Sequence, residues 1–208
     1  MGLPRLYPIL DAGLLAARGM ELRWAAEQMR AAGIKLLQYR DKAGAPQTVL
    51  RDAAVIREVF AGAECRLILN DRADLAILAK WGGVHVGQHD LLPADARRLV
   101  GLERWIGVST HNDEQVRLAD LSCADYIAVG PIFATGTKLD AESVIGLDGV
   151  RRARALTARP IVAIGGITRE NARSVIDAGA DSVALISGLF TGVEPVEKVA
   201  RDFLELLG

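Results

Sequence analysis

The stretch "LLQYRDK", residues 36–42, follows Ile34 and opens with the apolar pair Leu36 and Leu37, then sets Gln38, Arg40 and Lys42 at alternate positions. Side chains two apart on a strand share a face, so one face of an apolar strand would end in an amide and two cations. Burying unpaired charge is costly, which predicts that these groups meet a ligand, one that is anionic. Similar polar groups close other apolar runs: Asn70 and Asp71, Gln88 and Asp90, and Ser109, Thr110 and His111. After Gly130 and Pro131 comes "ATGTK" with Thr135, Thr137 and Lys138, and two further runs end in Gly165–Gly166 and Ser187–Gly188.

Three cations (Arg40, Lys42 and Lys138), with Ser109 and threonine hydroxyls, suit a diphosphate better than a single carboxylate. Asp71 and Asp90 end successive runs, and two carboxylates with phosphate oxygens and water are a common way to hold Mg2+. Backbone N–H groups near Gly166 and Ser187, at predicted helix starts, offer a second anion site. Two phosphate-bearing ligands, Mg2+ and no nucleophile–base pair point to group transfer with diphosphate leaving. Plainer roles exist for single residues. Asn70 and Asp71 could cap a helix, Asp90 could cap or sit in a turn, and His111 could begin a helix. Arg40 and Lys42 could be snorkelling surface cations, Gly165–Gly166 a tight turn, and Trp24, Trp81 and Trp105 packing residues.

The elements that position these groups follow from periodicity. Eight short apolar runs recur: "LYPILD", "IKLLQYR", "RLILND", "GVHVGQ", "WIGVST", "YIAVGP", "PIVAIGG" and "SVALISG". Most are continuous hydrophobes, as in parallel strands covered on both faces. Amphipathic helical patterns separate them. Leu22, Ala26 and Met29 share one face, and Val196, Val199, Ala200 and Phe203 share another. "TRENARSVIDAG" offers Thr168 as an N-cap and Gly179 as a C-terminal stop. Strand then helix, eight times, predicts a (β/α)8 barrel forming a single domain over residues 1–208, with the ligand-binding groups at its C-terminal mouth. The runner-up, an open doubly wound sheet, lacks a GxGxxG fingerprint.

The chain has 208 residues, half hydrophobic, with formal net charge -1. That balance gives no support to nucleic-acid binding, and no apolar run reaches membrane-spanning length. The N-terminus lacks the flanks of a signal peptide, and Cys65 and Cys123 lack metal-binding spacing, so the expectation is a cytoplasmic protein with reduced thiols.

Together "QYRDK", "ND", "HVGQHD", "GVSTH", "GPIFATGTK", "AIGGI" and "ALIS" resemble the thiamine-phosphate synthase family, in order along essentially the whole chain. The resemblance implies a (β/α)8 barrel that joins 4-amino-2-methyl-5-(diphosphooxymethyl)pyrimidine to a thiazole phosphate, 4-methyl-5-(2-phosphooxyethyl)thiazole, releasing diphosphate. It implies that Gln38, Tyr39, Arg40, Asp41, Lys42, Asn70, Ser109 and Lys138 bind the pyrimidine diphosphate. Of these, Arg40, Lys42, Ser109 and Lys138 form the catalytic set. Asp71 and Asp90 match Mg2+ ligands, and Thr135, Gly136, Thr137, Gly166, Ile186 and Ser187 match the thiazole-phosphate site. The implied reaction is dissociative: diphosphate departs and the thiazole nitrogen attacks a pyrimidine-methyl cation. "ISGLF" and His111 are also similar to a thiazole tautomerase relative, which lacks the QxRxK, Asn-Asp and Thr-x-Thr-Lys sets intact here. A non-catalytic phosphate-ligand-binding barrel is the alternative from another class. Residues 134–146, polar and carrying Gly136, are expected to act as a lid.

Overall fold

The computed structural model describes residues 2–134 and 143–208. The eight strands are β1 (Leu6–Asp11), β2 (Leu36–Arg40), β3 (Arg66–Asn70), β4 (Gly83–Val86), β5 (Trp105–Thr110), β6 (Tyr126–Val129), β7 (Ile161–Ile164) and β8 (Ser182–Leu185). They pair in sequence order, all parallel, and β8 closes on β1. The (β/α)8 barrel expected from the alternation of runs is the observed fold.

The helices are α1 (Ala12–Ala17), α2 (Leu22–Ala31), α3 (Pro46–Val59), α4 (Ala73–Leu78), α5 (Pro93–Val100), α6 (Asp113–Asp120), α7 (Gly146–Leu156), α8 (Ala172–Asp177) and α9 (Val196–Leu207). Their apolar stripes pack on the outer faces of the strands. Met29 of α2 and Val199, Ala200 and Phe203 of α9 are buried there, on the faces their spacing predicts. Trp24 is an exception to the packing expectation: it is 40% exposed on α2, whereas Trp81 is buried and gives its indole N–H to Ala53 O at 3.3 Å. α8 also starts later than Thr168. The turn before it is closed by Thr168 N–H donating to Asn171 Oδ1 at 2.8 Å, and Asn171 stands at the cap position.

Alternation divides the strand side chains between two cores. Leu10, Leu37, Tyr39, Leu69 and Val84 join the layer beneath the helices. Tyr7, Ile9, Leu36, Ile68, Tyr126, Ala128, Val162 and Ala184 fill the barrel interior. Inward positions stay in phase from strand to strand, as in Ile9↔Gln38, Gln38↔Ile68, Ile68↔Gly83 and Gly107↔Tyr126. At Gly107 any Cβ would overlap the Tyr126 phenol, so glycine is required for that ring to cross the interior. Both cysteines are free, and burial pushes the Cys65 thiol up to about 12. Among the described residues no helix is long and apolar enough to cross a membrane.

Candidate active site

The strands' C-terminal ends bring most of the expected residues to one mouth. Gln38 and Arg40 point inward from β2, two residues apart, and Gln38 is 2% exposed. Arg40 Nη1 contacts Asp11 Oδ2, and Asp11 also accepts the Leu14 N–H at 2.9 Å through Oδ1. Asp11 therefore caps α1 with one oxygen and fixes the guanidinium with the other. It was not singled out in the sequence, although it closes "LYPILD" as polar residues close the other strands.

Lys42 Nζ contacts Asp71 Oδ2, so the last cation of the alternating set meets the acidic pair. Asp71 has φ +63°, a left-handed conformation rarely occupied by residues other than glycine and found at sites that hold a side chain in place. Its N–H donates to His85 O at 2.7 Å, and α4 has Arg72 at its cap position, so Asp71 is not a helix cap. Asp90 lies in a turn, accepting the Gly87 N–H at 2.7 Å through Oδ2; Leu92 is the cap position of α5. The Asp71 and Asp90 carboxyls are neighbours that shift one another in opposite directions. Burial and its acidic neighbour raise Asp71, with Lys42 opposing. Burial would raise Asp90 too, but hydrogen bonds from Asp71 and Gly87 outweigh it and hold Asp90 below its ordinary value.

Two expected ligand contacts are corrected for their side chains. Tyr39 points outward, is fully buried beneath α3 and donates to Asp52 Oδ2 at 2.6 Å, because its parity is opposite to that of Gln38 and Arg40. Asp41 Oδ1 accepts the N–H groups of Ala43 at 3.1 Å and Gly44 at 2.8 Å, so that carboxylate shapes the loop entering α3. Asn70 ends β3, paired with His85. His111 precedes α6, whose cap is Asn112; its Nδ1 contacts Gly130 O at 2.7 Å.

On the opposite rim, Gly165 and Gly166 have φ of +106° and +63°. A Cβ on Gly166 would crowd Ala134 O and Phe133, so the two rim segments touch through bare backbone. Gly166 is not at a helix start, contrary to expectation, since α8 begins only at Ala172. Ile186 follows β8 and packs on the interior core, and Ser187 opens a three-residue 3-10 helix. Thr135, Gly136, Thr137 and Lys138, and most of the expected lid, lie outside the described residues.

Beneath the mouth runs a connected polar chain that the sequence reading missed. Gln38 Nε2 donates to Tyr7 Oη at 3.0 Å, and Tyr7 Oη lies 2.9 Å from Tyr126 Oη. Tyr126 Oη is 3.0 Å from His85 Nδ1, and His85 Nε2 is 2.9 Å from Ser109 Oγ. Alternate polar residues in "LYPILD", "GVHVGQ" and "YIAVGP" were the available signal, but their partners lie on other strands.

The family described as thiamine monophosphate synthase matches residues 6–189. The chain belongs to the thiamine-phosphate synthase family. A thiamine-phosphate synthase from Koribacter versatilis is 51% identical over 99% of this chain and 96% of its own length. One from Chloroflexus aurantiacus is 43% identical, covering 98% and 92%. Among solved structures, a thiamine phosphate pyrophosphorylase from Pyrococcus furiosus superposes with a TM-score of 0.86 at 28% identity, covering 98% of this chain and 95% of that one. Membership of the thiamine-phosphate synthase family makes the chain a transferase of thiamine biosynthesis, as the resemblance implied.

Proposed function

We propose that the mouth binds a pyrimidine diphosphate against Arg40, Lys42 and Ser109, and that Asp71 and Asp90 hold Mg2+ there while a thiazole phosphate is coupled to the pyrimidine methyl carbon. The observation that carries this is the convergence of two cations and two carboxyls from the ends of β2, β3 and β4. The donor set fits a hard cation. Two half-buried neighbouring carboxyls, one held above and the other below its ordinary value, can both ionise beside a divalent ion, with diphosphate oxygens and water completing its shell. When bound, Mg2+ supplies positive charge for the diphosphate as it accumulates negative charge.

The chain's own groups do the rest. Arg40, fixed by Asp11, presents its guanidinium in one orientation, so little reorganisation accompanies departure of diphosphate. Lys42 is the second cation, and Ser109 adds a hydroxyl. The glycine-bounded rim at Gly165–Gly166, with Ile186 and Ser187, is the proposed thiazole-phosphate side. A thiazole nitrogen has no proton to lose, so no general base is needed, which agrees with the engagement of His111 by a backbone carbonyl.

The test is incubation with both substrates and Mg2+, with detection of thiamine phosphate and diphosphate. Asp71→Asn and Asp90→Asn should each fold and lose roughly 10²-fold or more in turnover, by analogy with removal of a transition-state donor. Near-normal turnover in both variants would remove the metal assignment.

A further inference from the structure

The interior chain Gln38–Tyr7–Tyr126–His85–Ser109 starts and ends at residues of the mouth, and His85 also borders the acidic pair, its carbonyl accepting the Asp71 N–H at 2.7 Å. Tyr7 and Tyr126 are each 1% exposed, so bulk water does not supply alternative partners. A phenol has one proton to give, and a neutral imidazole has one donor nitrogen and one acceptor. Burial pushes both phenols far above their ordinary pKa, so each keeps its proton.

Those inventories order the chain. Tyr7 Oη accepts from the Gln38 amide N–H, and Tyr126 is the neighbour able to receive the Tyr7 proton. Tyr126 must then donate to His85 Nδ1, which places the imidazole proton on Nε2, facing Ser109 Oγ. Ser109 thus accepts from His85 and has its own proton left to donate. We propose that Tyr7, Tyr126 and His85 are positioning residues forming a proton-ordered relay, which makes the Ser109 hydroxyl a hydrogen-bond donor to an anionic oxygen and reserves the Gln38 carbonyl as an acceptor at the other end.

The relay has a selective consequence. Reversing it would require all four hydrogen bonds to change direction together, so Ser109 favours phosphate oxygens over ligand groups that themselves carry N–H or O–H. The relay also links the two ends of the site, because a donor at Ser109 requires an acceptor at Gln38.

This inference rests on the pyrimidine-diphosphate reading above, and the experiment separates the two. Tyr126→Phe removes the central hydroxyl and frees the imidazole tautomer. It should raise KM for the pyrimidine diphosphate roughly tenfold, about the worth of one hydrogen bond to a charged group, and leave KM for the thiazole phosphate within about twofold. In a Ser109→Ala background the same substitution should cost about twofold or less, since residues acting through one another are non-additive. Equal penalties in both backgrounds, or an unchanged KM, would overturn the relay while wild-type turnover upheld the broader reading. Wild-type protein making no thiamine phosphate would fail the broader reading itself. Tyr7→Phe serves as the second variant, with a thermal midpoint confirming that each folds. On wild-type protein, nitrogen NMR of the three histidines should show His85 protonated at Nε2; protonation at Nδ1 alone would refute the ordering without any substitution.

Discussion

Asp11 divides its carboxylate between the Leu14 N–H, where it caps α1, and the Arg40 guanidinium, where it steadies a cation of the mouth. Asparagine can still cap a helix but carries no charge, so Asp11→Asn separates the two duties. The expected result is a roughly tenfold higher KM for the pyrimidine diphosphate, with a thermal midpoint within a few degrees of wild type. A large fall in midpoint with unchanged KM would assign Asp11 to the helix alone. At this scale the sequence was informative wherever chemistry and parity agreed. Gln38, Arg40, Asp71 and Asp90 stand where their spacing suggested. The Tyr39 side chain turns outward because strand alternation, and not membership of the motif, sets its direction. The Tyr7–Tyr126 contact spans 119 positions, and no local pattern reveals such a pair.

Strands and helices repeat the lesson in backbone terms. The eight apolar runs were legible because parallel strands covered on both faces must be nearly continuously hydrophobic. The start of α8 was not, since Thr168 and Asn171 are both good capping residues; Asn171 stands at the cap position without a side-chain capping bond, its Oδ1 instead accepting the Thr168 N–H behind it. Gly107 in β5 shows how an element's shape serves the site: it is bare so that the Tyr126 ring can cross the barrel. Gly107→Ala should overpack the interior and lower unfolding stability by about 1–3 kcal/mol, read from urea denaturation. It should also raise KM for the pyrimidine diphosphate, because the displaced phenol is a relay member. Wild-type stability together with wild-type KM would show that the interior has more room than its packing indicates.

The whole barrel should register ligand binding as stability, because its mouth is assembled from every strand end. Ligand at a hundredfold excess over its Kd adds about 2.7 kcal/mol. For a chain of this size that raises the thermal midpoint by roughly 5–10 °C. Inorganic diphosphate with Mg2+ should give such a rise, diphosphate alone a clearly smaller one, and Asp71→Asn should erase the difference. The same midpoint shift with and without Mg2+ would count against a metal held by Asp71 and Asp90. The in-phase register of the interior carries a separate consequence, for the kinds of genetic change this barrel can absorb. Ile9, Gln38, Ile68 and Gly83 lie side by side because each strand keeps its phase with the next. Deleting one codon within β2 would turn Gln38 and Arg40 toward the helices and bring Tyr39 into the barrel, undoing interior and mouth at once. Length variation is therefore confined to the connections, and within the strands this fold can diversify only by substitution.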